Sequence, residues 1–327
     1  MLPLTFSVLR RLSHEEFRSG EAIAGELGVS RASVCNALGN VQQLGVEVHR
    51  VRGRGYRLAQ PLDWIDAPAL AARLAGRFSL SVRDVLESTN STLALEAARG
   101  APHRSCLVAE LQTAGRGRRG RRWESALGGS LTFSLLWRFP HGVAQLSGLS
   151  LAVGLALQRA LVALGLGDTA LKWPNDLLHG HRKLGGILVE LQGDALGPTA
   201  AVIGVGINVR LGAVRERIDQ AVTDLATLQP ELPSRTELLA SLLGHLDEVL
   251  SQFEATGFAP LREDWQAAHA YHERPVALLL PSGARVEGTV AGVAEDGALL
   301  LRTGRGMERF ASGEISLRPL RDVAPAA

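Results

Sequence analysis

Residues 20–45, GEAIAGELGVSRASVCNALGNVQQLG, leave few choices for the chain around them. Ala22, Ile23 and Leu27 share one face of a short helix, and Leu27-Gly28-Val29 supplies a tight turn. Ser30 is a good N-cap for a second helix with Val34, Leu38 and Val41 inward. Arg31, Asn36, Gln42 and Gln43 are that helix's polar donors, and Gly39 interrupts it at a cost of about 1 kcal/mol relative to alanine. Leu4, Val8 and Leu12, four apart, predict a helix ahead of the pair. Residues 46–58, VEVHRVRGRGYRL, then alternate apolar and polar around Gly53-Arg54-Gly55, the pattern of a hairpin. Helix, turn, helix and basic hairpin together form a winged helix-turn-helix. Ser30, Arg31 and Asn36 are its candidate DNA contacts on the second helix, with Arg52 and Arg54 on the wing. Residues 1–60 hold eight Arg and five Glu, and the rest of the chain is near neutral, so a nucleic-acid contact belongs at this end. Pro61, Asp63 and Pro68 mark the exit.

The centre mixes strand and helix signals without a regular alternation, which favours α+β with a mixed sheet. SLTFSLLWRF (130–139) places Leu131, Phe133, Leu135, Trp137 and Phe139 on one face and reads as a half-buried strand. LGGILVEL (184–191) and AVIGVGI (201–207) read as buried strands, and Leu149–Leu164 and Glu237–Phe253 as helices. The longest uncharged apolar stretch, Val143–Leu157, falls short of the roughly 20 residues that span a bilayer and reads as a buried helix. The tail carries five short runs (PVALLL, ARVEGTVAGV, GALLLRT, MERFA, EISLRP) separated by turn residues, which point to a small SH3-like β-barrel. Residues after Arg321 read as a frayed end. The expected domains are therefore 1–62, 63–271 and 272–327.

With 46% hydrophobic and 21% charged residues, the 327-residue chain has material for a packed core. Its two cysteines, Cys35 and Cys106, exclude a zinc ribbon or a disulfide scaffold. Acids stand near the N-terminus where a signal peptide would be cleaved, so no export signal, no membrane partner and a cytoplasmic location are expected. Of the 35 basic residues only Lys172 and Lys183 are lysines. Codon bias explains most of that. Two lysines eleven residues apart still mark places where a compact, rotatable ammonium suits a tight anion pocket better than an arginine fork.

TAGRGRRGRRW, Thr113–Trp123, is the sharpest motif. Gly115, Gly117 and Gly120 let a backbone approach a ligand, while Arg116, Arg118, Arg119, Arg121 and Arg122 bind phosphate or carboxylate. A solvated basic loop is the ordinary reading of such a run. Here the run follows a strand-like SCLVAELQ and ends on Trp123, a flat face fit to stack on a purine, so an anion-binding loop is the better one. LKWPND (171–176) presents Lys172, Asn175 and Asp176 at a strand end. In RKLGGILVE (182–190), Lys183 leads into a strand and Gly185-Gly186 permits close approach. IGVGIN (203–208) does the same through its Gly-x-Gly, Gly204 and Gly206, with Asn208 as a polar end. ESTNST (87–92) reads as a helix cap by Ser88, Thr89 or Asn90 that could also meet an amide or urea. His179, His181, His269 and His272 lack partners at metal spacing and read as surface histidines. No nucleophile elbow or Ser/His/Asp set stands out.

These motifs, in this order from Gly20 to Arg318, resemble the biotin–protein ligases, and the winged helix makes the bifunctional ligase and biotin-operon-repressor form the nearer match. The resemblance implies a class II synthetase-like ligase domain, the biotin–lipoate ligase fold. It implies two steps with ATP, biotin and Mg²⁺. The biotin carboxylate attacks the ATP α-phosphorus to give biotinyl-5′-AMP and pyrophosphate, and a carrier-protein lysine then displaces AMP. It implies that Ser88, Thr89, Asn90, Gln112 and the backbone at Arg116 read the ureido ring. Gly115, Gly117 and Arg118 would fold over biotin, with Gly186 and Gly204 leaving room for it. Arg118 and Lys183 would hold the anhydride, with Lys172 and Asp176 beside them. Arg119, Arg121, Trp123, Asn175 and Asn208 would meet the nucleotide. No protein-only metal site is implied. The partners implied are the biotin carboxyl carrier protein of acetyl-CoA carboxylase, operator DNA, and a second copy when the adenylate is bound. A repressor that senses biotin without catalysis, and a lipoate–protein ligase, are the two rival readings.

Overall fold

The computed structural model describes residues 2–39, 41–311 and 315–320. The N-terminal unit contains α1 (Leu2–Leu9), α2 (Gly20–Leu27), α3 (Arg31–Ala37) and the hairpin β1 (Val48–Val51) and β2 (Gly55–Leu58). Ser19 and Ser30 cap α2 and α3 by accepting from the amides three residues on, and Gly28 ends α2 at φ +65°. Phe6, Leu9, Ile23, Val34, Leu38 and Leu58 form its core, joined by Leu111 and Leu127 from the centre of the chain. The second helix is shorter than its apolar spacing predicted. It stops at Ala37, and Val41, Gln42 and Gln43 lie in a separate 3-10 turn, Val41–Leu44. Gly39 thus lies outside the helix and carries no mid-helix cost.

The central unit comprises α4 (Ala67–Arg73), β3 (Ser79–Leu86), α5 (Thr89–Ala98), β4 (Ser105–Gln112), β5 (Gly115–Arg116), β6 (Arg122–Trp123), β7 (Ser130–Phe139), α6 (Leu149–Ala163), β8 (Thr169–Lys172), β9 (Asp176–His179), β10 (Arg182–Gly193), β11 (Thr199–Asn208), α7 (Leu225–Leu228), α8 (Arg235–Thr256) and α9 (Arg262–Ala267). Seven strands form one mixed sheet in the order β3-β4-β7-β11-β10-β9-β8, in which only β3 and β4 are parallel. Helices α6 and α8 cover one face, and α5 covers the other.

Strand β7 is buried on both faces, not half-buried. The hydroxyls that made its second face look polar are satisfied inside: Thr132 donates to the Ala109 carbonyl at 3.1 Å, and Ser134 donates to Asn90 Oδ1 at 2.6 Å. Strand β10 is buried only over its first half. Its pairing with β9 ends at Gly186, which leaves the later residues without a β9 neighbour. The apolar stretch from Val143 breaks at Gly148 (φ +83°) before α6 begins. By length and composition Val143–Ala163 is apolar enough to cross a membrane, but α6 is packed into the core beside α8.

The linker after the wing is fixed by a fully buried ion pair, Glu110 with Arg235 at 2.8 Å. The same Glu110 carboxylate accepts from Ile65 N, and Arg235 also donates to the Asp63 carbonyl. Breaking such a pair costs about 3–5 kcal/mol, because the remaining charge stays buried.

The C-terminal strands β12 (Pro275–Leu279), β13 (Arg285–Val293), β14 (Leu299–Thr303), β15 (Gly306–Phe310) and β16 (Ser316–Pro319) form a five-stranded antiparallel sheet in the order β15-β14-β13-β12-β16, as the five runs predicted. Val276, Leu278, Val290 and Leu301 join this sheet to the central core. The frayed end expected after Arg321 lies outside the described residues.

Candidate active site

A cavity of about 120 Å³ opens over the middle of the large sheet, roofed by residues 116–123. A larger one, about 620 Å³, adjoins it on the side of residues 217–222. Arg121, Arg122, Trp123, Lys172, Asp176, Lys183 and Arg318 line both, so they mark the junction.

At one end of the smaller cavity the chain turns from β3 into α5. Ser88 caps α5 by accepting from Ser91 N. Thr89 donates from both its amide (2.7 Å) and its hydroxyl (3.1 Å) to Gln112 Oε1. Asn90 lines the cavity but is spent on the frame: its amide nitrogen donates to the Leu188 carbonyl (3.1 Å) and Glu190 Oε2 (2.9 Å). Ser88 thus caps α5 as the motif predicted, and Ser88, Thr89 and Asn90 all line the cavity.

The opposite end is ionic. The β8–β9 turn contains a cis Trp173-Pro174 bond and places Lys172 and Asp176 on paired strands. Lys183 Nζ lies 2.6 Å from Asp176 Oδ1, and Lys172 Nζ lies 3.9 Å from Oδ2. Asn175 donates to the Ile187 carbonyl (2.8 Å) and accepts from Arg118 Nη1 (3.0 Å), which ties the roof to the sheet. Burial alone would push the Asp176 carboxyl up; Lys183, Lys172 and Arg118 outweigh it and hold the carboxyl below its ordinary value. Burial pulls the Lys172 ammonium below the usual lysine range; Asp176 opposes that, while Arg318, Lys183 and Arg121 add to it. Five cations face one carboxylate at this junction. That is a site for a polyanion.

The roof is a two-residue ladder, β5 with β6, in which Gly115 pairs with Trp123 and Arg116 with Arg122. Arg119 at its tip adopts φ +59°, a left-handed conformation that costs a non-glycine residue of order 1–3 kcal/mol. A side chain at Gly115 would come within 2.6 Å of the Trp123 carbonyl. Gly186 and Gly204 both line the smaller cavity, and each also lets a protein side chain come close. A Cβ at 204 would run into Asn90, and one at 186 would meet Lys183 and Trp123, so protein side chains fill that space. Gly206, the second glycine of the Gly-x-Gly in IGVGIN, is the seat of the Trp123 ring. In Gly204-x-Gly206 both glycines fall on one strand face.

Asn208 lies in the wall of the larger cavity, but it is buried and its amide donates to the Thr223 carbonyl (3.0 Å) and the Lys183 carbonyl (3.4 Å). It braces the strand that carries Lys183 and has no donor left for a nucleotide. Arg118, Arg119 and Asn175 line the smaller cavity, as do Arg116 and Gly117, and Arg121 and Trp123 stand at the junction; Gly115 lies behind them. Sequence reasoning missed Arg318 and Gln220, which reach the cavity from distant segments. It also misplaced His269. This residue is 5% exposed, accepts from the Trp173 amide and stacks on Trp265, so it supports the β8–β9 turn. Burial, with His272 and Lys172 adding, pushes its imidazole down to about 3.

Away from the cavity, Arg31, Asn36, Arg52 and Arg54 are exposed on α3 and the wing, with Ser30 at the helix cap. The Arg54 guanidinium lies over the Phe17 ring at 4.5 Å.

Residues 82–208 match the profile of the Biotin/lipoate A/B protein ligase family. The chain is 37% identical to the Bifunctional ligase/repressor BirA of Escherichia coli over 94% of its own length and 95% of that protein's. It belongs to the bifunctional biotin–protein ligase/repressor family. The profile of an HTH domain matches residues 5–57, and that of the biotin protein ligase C-terminal domain matches residues 271–318. The biotin–[acetyl-CoA-carboxylase] ligase of Mycobacterium tuberculosis is 34% identical over 79% of this chain and 97% of its own. Among solved structures, the biotin protein ligase from Aquifex aeolicus in complex with biotin and ATP superposes with a TM-score of 0.66 at 32% identity, covering 74% of this chain and 99% of that one. The chain is thus a biotin–protein ligase with an attached helix-turn-helix repressor domain.

Proposed function

We propose that biotin lies in the smaller cavity with its ureido ring toward Ser88, Thr89, Gln112 and the backbone at Arg116, and that its carboxylate meets the ATP α-phosphorus at the junction held by Arg118 and Lys183. The nucleotide takes the larger cavity, with Trp123 as the shared wall and Arg119, Arg121 and Arg122 over the phosphates. The observation that carries this reading is the pairing of Lys183 and Lys172 with Asp176 at a junction that Arg121, Arg122 and Arg318 also line. Negative charge builds on phosphorus as the carboxylate attacks, and pre-placed cations stabilise it. The α–β phosphoanhydride bond breaks, and the products are biotinyl-5′-AMP and pyrophosphate. A carrier-protein lysine then attacks its carbonyl carbon, and AMP leaves with the anhydride electrons. The roof keeps water from the anhydride in the interval. Asn90 and Asn208 act as frame.

Mg²⁺ arrives with the nucleotide. Among the described residues no three His, Cys, Asp or Glu side chains converge, and Asp176 is already paired, so the donors do not fit a resident ion. The phosphates would hold it.

The same reading divides the chain at about residues 62 and 271, assigns operator binding to α3 and the wing, and takes the cytoplasm as its location. Two copies would pair, with adenylate bound, along central-domain edges. The part of β10 beyond its pairing with β9 would offer one such edge. The carrier is the biotin carboxyl carrier protein of acetyl-CoA carboxylase. The test mixes protein, biotin, ATP, Mg²⁺ and cell extract. Newly biotinylated bands support the reading. Bands absent, or suppressed equally by lipoate, overturn it.

A further inference from the structure

We propose that Glu190 is a positioning residue for biotin activation: its carboxylate sets where the cationic roof begins by holding Arg116 and Asn90 at once. Arg116 Nη2 donates to Oε1 at 2.6 Å and Asn90 Nδ2 to Oε2 at 2.9 Å. Arg116 Nη1 reaches the same carboxylate at 3.4 Å and Ser91 Oγ at 3.0 Å. One side chain of β10 therefore joins the first turn of α5 to the first strand of the roof.

The connection goes further through the backbone. Arg116 is paired with Arg122, and Gly115 with Trp123, so the position of Arg116 fixes both ends of the loop that carries Arg118. Gly115 and Trp123 are in close contact, so a shift at one is passed to the other. Asn90 has little slack either. It is braced by Ser134 and the Leu188 carbonyl, and it fits only because position 204 lacks a side chain.

A surface ion pair would be the plain account of Glu190 and Arg116. Their side chains are 30% and 48% exposed, and such a pair adds little to stability. That weakness separates the two accounts. A pair that matters only for stability should be nearly silent, whereas a pair that sets geometry acts on biotin and not on folding. The carboxylate approaches the proposed ureido end, so its loss should act on biotin more than on ATP. This inference rests on the adenylation reading given above.

The test measures biotin- and ATP-dependent pyrophosphate release by the full chain, for wild type, Glu190→Ala, Glu190→Gln and the exchange Glu190→Arg/Arg116→Glu. Removing a charge-assisted contact that orders the site should raise the biotin KM of Glu190→Ala about tenfold. The ATP KM and thermal midpoint should stay near wild type. Glu190→Gln, which keeps an acceptor for Asn90, should fall between, and the exchange should recover part of the loss. An unchanged biotin KM in Glu190→Ala overturns the inference. So does a parallel change in biotin KM, ATP KM and thermal midpoint, which would mark a merely structural role. Wild type run alongside separates the failures: no pyrophosphate release from wild type overturns the adenylation reading and this inference together.

Discussion

Lys183 and Asp176 form the closest ion pair of the ionic junction, at 2.6 Å, on the antiparallel strands β10 and β9. Asp176 also raises the depressed Lys172 ammonium, against burial and the neighbouring cations. Asp176→Asn removes that support, so Lys172 should lose its proton at lower pH than in wild type. The pH profile of adenylate formation checks this. Its alkaline limb should move to lower pH in Asp176→Asn; a limb at the wild-type position would count against a role for the Lys172 charge.

Arg118 is tied to the sheet through Asn175 Oδ1 at 3.0 Å. Arg118→Gly cuts that tie and removes a cation from the anhydride. The adenylate should escape before the carrier arrives, at a rate about tenfold above wild type for each 1.4 kcal/mol lost. Labelling of bystander protein lysines should rise with it. No increase over wild type would refute the roof as a seal.

His269 carries a prediction about stability. Its imidazole is held neutral when folded, down to about 3, against an ordinary value near 6.5. Below 6.5 the unfolded chain binds the extra proton and the folded chain does not. The stabilisation is therefore whole above that pH and is lost as pH falls from 6.5 toward 3, with a slope of up to about 1.4 kcal/mol per unit. Denaturant unfolding at a series of pH values should show a shallower decline for His269→Gln than for wild type. Identical slopes would contradict the assignment.

On the DNA side, Arg52 and Arg54 are exposed on the wing. If each meets a phosphate, alanine at either position should lower the slope of log affinity against log salt by about 1, with weakening spread evenly over sequences. Fluorescence anisotropy across a salt series measures this. An unchanged slope would move the DNA contact elsewhere.

Most of the fold was legible because its signals are local. Ser30 caps α3 as its position implied, and the five tail runs became five strands. What was missed needed tertiary knowledge. Nothing in the alternation of β7 says that α5 will cover its second face and satisfy Ser134, or that a β4 carbonyl will take Thr132. The length of α3 was overread because Leu38 and Val41 are apolar and in period, yet they face the core from a cap and a separate turn. In the site, motif chemistry marked Arg118, Lys172, Asp176 and Lys183 one by one, and the family resemblance implied that they share a site. Arg318, Gln220 and the burial of His269 did not, since each depends on which distant segment the fold brings alongside.

The most direct measurement of the central claim is biotin-dependent exchange of labelled pyrophosphate into ATP, without any carrier. Wild type should catalyse exchange only when biotin is present, lipoate should not replace it, and Lys183→Met should lose the exchange while remaining folded. Exchange that ignores biotin, or that survives unchanged in Lys183→Met, would contradict the account.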